Sequence, residues 1–287
     1  MTGMRVAPPR VFPRATRSAK PPIEAEGSAD TYRQTGFVLG AELELVLRGL
    51  NLEGEVVVAS QGAGFRKQVT AATMGLWSRA WLTRLEALHA IEWGNYTAAM
   101  PLLRASADHV AGEMALLRDN AQEWGDWLDQ GGVSPAPSEQ AVEFRLHPFR
   151  SGEVLAGHEV LGTLYRVLTD LSLPHFGATL LLAANDSNPE RILMTFGDRD
   201  FHLGLAELCL GWLLTLGIVQ TEVVVGAGSV FAREAVGAGE QWSGEAKAMV
   251  ERADRCRIDQ IERDGVHRYL VHNWRRAPGA ARKAVLL

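Results

Sequence analysis

Cysteine is almost absent: Cys209 and Cys256 are the only two in 287 residues, far apart and in no C-x-x-C arrangement. Neither a disulfide framework nor a zinc site of four cysteines is available, and a reducing, cytoplasmic setting is the expected one. Long apolar runs are lacking as well. The longest, Leu208 to Val219, covers 12 residues between Glu207 and Gln220, short of the ~18 to 20 that a membrane-spanning helix needs. It reads as a buried core helix, and no membrane partner is expected. The opening stretch MTGMRVAPPRVFPRATRSAKPP is interrupted throughout by Pro and Arg, so it has no apolar segment of a secretory signal. Nucleophile-elbow, Walker and zinc-protease signatures are absent.

What is present is the composition of a soluble, core-forming chain: 47% hydrophobic, 22% charged and 7% aromatic residues. Its charge is unevenly spread. Arg5, Arg10, Arg14, Arg17 and Lys20 lie in residues 1–23, and Arg268, Arg275, Arg276, Arg282 and Lys283 in residues 265–287, with no carboxylate in either segment. The remaining 19 bases face all 34 acids. Such an acidic body repels nucleic acid, so any phosphate contact is to be led by the tails and to depend strongly on salt. The plainer expectation is that the tails lie against the acidic body. HRYLVHNWRR (267–276) interleaves aromatics with cations, as RNA-contacting segments do, which makes RNA at the basic tails one expected partner.

Helical periodicity dominates the chain. Residues 1–28 read as a disordered basic tail, 29–130 as an N-terminal helical hairpin region, 131–140 as a linker, 141–264 as a C-terminal helical region and 265–287 as a second basic tail. A first helix starts at Asp30 and is ended by Gly49, Asn51 and Gly54. EVVVAS (55–60) has the β-branched character of a short strand, as does RILMTF (191–196). From Phe65 to Trp93 the pattern is helical, Gly94 and Asn95 break it, and a partner helix carries Ala99, Leu103, Ala107, Val110, Met114 and Leu117 in one stripe to about Leu128. GGVSPAPSEQ, with Gly131, Gly132, Pro135 and Pro137, marks the linker. Later helices are expected over 152–172, 174–184, 200–225 and 240–264. The fold class is therefore all-α: a multi-helix bundle with long antiparallel hairpins and at most one or two short strands.

GNYTAAMPLLRASADH (94–109) resembles the turn within a tetratricopeptide hairpin, but no second copy follows at a period of ~34 residues, so no repeat array is expected. The same string, with LYRVLTDLSLPHFGATLLLA (164–183), resembles bacterial all-helical families near the HEPN and abortive-infection proteins, departing where Ala107 or Asp108 stands for the usual Glu. The resemblance implies an Arg and a His four to six residues apart, the His polarising a ribose hydroxyl and the Arg steadying the phosphate. The pairs available are Arg84/His89 and Arg104/His109, of which Arg104 and His109 are the candidate catalytic pair. Five helical positions set such a pair about 140° apart, so a monomer does not converge them.

Glu86 and His89 have the carboxylate-x-x-imidazole spacing that metal-binding bundles place on one helix face, and are the candidate metal ligands. EVVVASQGAGFRK (55–67) and EVVVGAGSVF (222–231) set Val runs before Gly-Ala-Gly, the local look of a dinucleotide loop. Both lack the third glycine and the surrounding βα alternation, and no cofactor is expected. Trp77, Trp81, Trp93, Trp124, Trp127 and Trp212 fall in helical segments as core fillers. These features point first to a non-enzymatic interaction or scaffold protein, homodimeric or bound to a protein partner through a helical face. A HEPN-like RNA-binding or RNA-cleaving protein of a defence or toxin system comes next, then a helical-bundle metal binder.

Overall fold

The computed structural model describes residues 10–12, 14–61, 68–119, 122–129, 150–187, 190–228 and 231–287. Among them a short 3-10 turn, Ile23–Ala25, precedes α1 (Gly27–Val38), α2 (Gly40–Ala59), α3 (Gln68–Glu92), α4 (Tyr96–Arg118) and α5 (Gln122–Asp129). Then come α6 (Ser151–Gly157), α7 (Glu159–Ser172), α8 (Phe176–Ala183), α9 (Leu203–Gly226) and α10 (Arg233–Val250). The chain ends in three strands, β1 (Arg257–Arg263), β2 (Val266–Trp274) and β3 (Lys283–Leu286), in an antiparallel sheet of order β1-β2-β3. Helix dominates as expected, with a small sheet added.

The α3–α4 hairpin follows the sequence pattern closely. Gly94 sits at φ 71°, the left-handed conformation that closes a helix, and a Cβ there would stand 2.1 Å from the Arg199 carbonyl oxygen. Asn95 caps α4, its Oδ1 accepting from the Ala98 amide at 3.3 Å. The stripe Ala99, Leu103, Ala107 and Val110 is fully buried. Behind it runs α9, buried on nearly every face. By length and composition alone α9 is apolar enough to cross a membrane, but here it is the central rod of the bundle. One main hydrophobic cluster joins residues before and after the proposed 131–140 linker, with α4 packed on α6 and α7 as well as on α3 and α9. The linker itself lies outside the described residues.

The structure corrects several local expectations. EVVVAS is the last turn and end of α2, so its valines Val56 and Val57 are buried as part of a helix. The first helix is two, α1 and α2, and it runs through Gly49, Asn51 and Gly54. Gly49 is accommodated because it forms a notch with Gly217 of α9 for the Trp242 ring, to which a Cβ at either would come within 2.4 and 2.6 Å. Trp242 Nε1 donates to the Leu45 carbonyl at 2.8 Å. RILMTF is an extended, exposed segment with one bridge residue, Arg191, outside the sheet. The helix expected over 240–264 ends at Val250, and residues 257–274 form a hairpin closed by Asp264 (φ 56°) and Gly265 (φ 72°), the Asp-Gly pair that a tight two-residue hairpin turn favours.

Neither end behaves as a free tail over the described residues. Arg17 pairs with Glu92 and lies 4.5 Å from the Tyr32 ring centroid, while the Ser18 amide donates to the same Glu92 carboxylate at 2.8 Å. At the other end, β2 carries Val271 and Trp274 onto the start of α9. Trp274 stacks on His202 with ring centroids 4.3 Å apart. Arg275 pairs with Glu207 at 2.7 Å, and Arg276 with Asp186 at 2.8 Å and Asp200 at 3.2 Å. Arg17, Arg275 and Arg276 are held by acids of the body.

Candidate functional site

A charged network lies inside the helical core. Glu53 comes from the buried side of α2 and Arg84 from that of α3, in positions where an apolar residue continues the stripe. A buried ion needs a partner of opposite charge and good geometry, and the two form a bidentate pair, Nη1 to Oε1 and Nη2 to Oε2, both at 2.6 Å. Trp77 Nε1 donates to Glu53 Oε2 at 2.7 Å. Deeper in, Glu113 of α4 is fully buried and accepts at Oε2 from Gln220 Nε2 of α9 at 2.9 Å. Desolvation above all, with the Glu53 charge adding to it, raises the Glu113 pKa to about 8 against the opposing pull of the Gln220 hydrogen bond and Arg84. Glu113 Oε1 and Gln220 Oε1 have no partner, and burial favours the protonated form of this acid at neutral pH.

Among the described residues, Glu53 lines three partly open spaces. The largest, about 190 Å³, opens between α2 and α3. Its apolar walls are Val57, Met74, Trp77, Trp81 and Leu82, and Arg10, Val11 and Phe12 stand at its edge. The other two, about 20 and 10 Å³, flank the Trp242 notch.

The expected catalytic pair does not converge. Arg104 faces α7, donating from Nε to Thr169 Oγ1 at 3.0 Å and from Nη2 to Tyr165 Oη at 2.8 Å. His109 faces α3; its pKa is lowered first by burial and then by Arg79. Of the other pair, Arg84 is committed to Glu53, while His89 Nε2 lies 2.9 Å from the Thr16 carbonyl. Glu86 and His89 do share a face, His89 Nδ1 being 3.8 Å from Glu86 Oε2. Among the described residues no group of three or more His, Cys, Asp or Glu is placed to hold a metal ion. The Gly-Ala-Gly at 226–228 follows the C-terminal end of α9, where carbonyls rather than amides point outward, the wrong polarity for a phosphate. Gly62 and Gly64 of the first such motif lie outside the described residues.

A third feature is an apolar face. Of sixteen strongly exposed large hydrophobic side chains among the described residues, seven fall between residues 173 and 196: Leu173, Phe176, Leu180, Ile192, Leu193, Met194 and Phe196. The chain doubles back after α8, with the Thr195 amide donating to the Ala183 carbonyl at 2.7 Å and the Leu193 amide to Ser187 Oγ at 3.0 Å. That fold-back sets residues 192–196 beside the end of α8. Phe176 is 94% exposed and Phe196 wholly so.

Comparison with family models, with curated proteins and with solved structures finds no match.

Proposed function

We propose that this chain is a non-enzymatic interaction protein that associates with a second copy of itself through the apolar face made by α8 and residues 192–196. The observation that carries the reading is the concentration of exposed apolar side chains in that one stretch, because contiguous apolar patches on a soluble protein mark docking surfaces. The charge pattern favours a second copy as the occupant. A twofold contact sets the same patch against itself, so a charged patch would repel its own image. Residues 171–185 and 192–197 contain no Asp, Glu, Lys or Arg, in a chain of net charge −5.

The test is the oligomeric state of the full chain by sedimentation equilibrium, beside Phe176→Asp and Phe196→Asp. A wild-type dimer that both substitutions convert to monomer, with unchanged helical circular dichroism, supports the reading. A wild-type monomer at about 50 µM, well above the micromolar affinity of a weak specific dimer, overturns it. So does a dimer indifferent to both substitutions.

A further inference from the structure

We propose that the pocket between α2, α3 and residues Arg10–Phe12 binds a small, neutral aromatic molecule bearing one N–H or O–H donor, of about the size of indole. This inference does not depend on the self-association above.

Size sets the first limit. A dry cavity of roughly 150 Å³ takes benzene, so a pocket of about 190 Å³ accommodates one fused ring pair and little more. The walls set the second. Trp77 and Trp81 stand one helical turn apart on α3 and both line the space. Both indole N–H groups are already used, Trp77 on Glu53 Oε2 and Trp81 on the Leu50 carbonyl at 2.9 Å. They therefore offer the ligand ring surface rather than donors. Their orientation is fixed in advance, which lowers the ordering cost of binding.

The polar end of the ligand follows from Glu53. Its Oε2 already accepts from Trp77 and Arg84, whereas Oε1 accepts only from Arg84. A carboxylate oxygen accepts about two hydrogen bonds, leaving one acceptor position at Oε1 in a residue that lines the pocket. Charge then selects a neutral molecule. Arg84 cancels Glu53, so a cation gains little there and meets Arg10 at the edge. A carboxylate set at the polar end has only acceptors to offer the Glu53 oxygen, whereas a neutral N–H or O–H donates to it.

The experiment is calorimetric titration of the full-length protein with indole, with benzofuran, which has the same shape but no N–H, and with benzylammonium. The first variant is Gly54→Leu, which fills the space from α2. The second is Ser78→Phe at an exposed rim position of α3, where a fold defect is not expected. Indole binding with a Kd of about 100 µM or below is the expected result, with benzofuran and benzylammonium about tenfold weaker, the worth of one hydrogen bond. Each variant that retains wild-type circular dichroism is to lose about tenfold or more in indole affinity. Absence of indole binding at about 1 mM, equal affinity for indole and benzofuran, or indole binding unaltered in folded Ser78→Phe overturns the proposal.

Discussion

Two buried ionic networks sit about α9 and differ in completeness. The one at its start joins Glu42 of α2, Glu207 of α9 and Arg255 and Arg275 of the C-terminal region. Arg255 Nη1 donates to Glu42 Oε1 at 3.2 Å, and Arg255 Nη2 to the Glu207 carbonyl at 2.6 Å. Both Glu207 oxygens are taken, one by Arg275 at 2.7 Å and the other by the Cys256 amide at 2.9 Å. The network inside the helical core pairs Glu53 with Arg84 but leaves two buried oxygens, on Glu113 and Gln220, without partners, and borders three spaces. A fully satisfied network specifies one arrangement and acts as a clamp. An incomplete one leaves its members less fixed, and here it adjoins empty volume through Glu53 alone, since Glu113 and Gln220 line none of the three spaces. The first is structural, and in the second only Glu53, with its spare acceptor position at Oε1, stands at the wall of a pocket.

Breaking the charge pairs sharpens that contrast most. Arg84→Met leaves the Glu53 carboxylate buried without its countercharge, with only the Trp77 indole donating to it, and the expected loss is about 3–5 kcal/mol in urea unfolding. Glu53→Leu added to it recovers most of the loss, because both charges are then gone. In the clamp the corresponding rescue is smaller: Glu42→Leu restores only part of what Arg255→Met costs, since the added bond from Arg255 to the Glu207 carbonyl stays lost and the pairing of Arg252 with Glu42 at 3.5 Å is lost as well. Equal recovery in both networks would erase the distinction.

The second prediction concerns pH. Glu113 has its folded pKa raised to about 8 from the ordinary carboxylate value of 4.5, so between those values the folded state holds a proton that the unfolded state releases. The stability it contributes is present below pH 4.5 and falls as pH rises towards 8, by a few kcal/mol. Glu113→Gln keeps the neutral shape and should flatten the profile across that window. His202 acts in the opposite sense. Burial, aided by Arg276, lowers its pKa to about 4, which keeps Nδ1 free to accept the Leu205 amide at 3.3 Å and cap α9. Its contribution is lost as pH falls from 6.5 towards 4, so the difference between wild type and Glu113→Gln, followed by urea unfolding from pH 5 to 9, isolates Glu113. Parallel curves would remove the acid from the network's energetics.

The smallest effect is steric. Gly217→Ala puts a methyl group where the Trp242 ring lies 2.6 Å away, and overpacking of this kind costs about 1–3 kcal/mol. A thermal midpoint unchanged from wild type would mean that the notch yields freely.

The parts of this architecture legible in the sequence were those written in local periodicity. The α3–α4 hairpin, its Gly94–Asn95 break and the core character of α9 all follow from spacing. The sheet was hidden because the helical reading continued past Val250, although Asp264–Gly265 between β-branched and aromatic residues is a strong hairpin signal. EVVVAS misled because valine's strand preference is weak beside the burial that α2 gains from it. The core pair was illegible for another reason. Glu53 and Arg84 are 31 residues apart, and each looks like an interruption of an apolar stripe until folding sets them face to face. Arg104 and Arg276 likewise find their partners on elements distant in sequence.

The clamp spans almost the whole chain: Glu42 and Arg255 are 213 residues apart, and Leu45 and Trp242 are 197. During synthesis α2 therefore emerges long before the residues that cover it. Its apolar side has to wait first for α9 and α10, and its last buried charge, Glu42, for Arg255, when nearly nine-tenths of the polypeptide has been made. Contacts of such separation slow folding and prolong the exposure of sticky surface. A chain truncated just before Arg255 would lack not a dispensable end but the pieces that close its beginning.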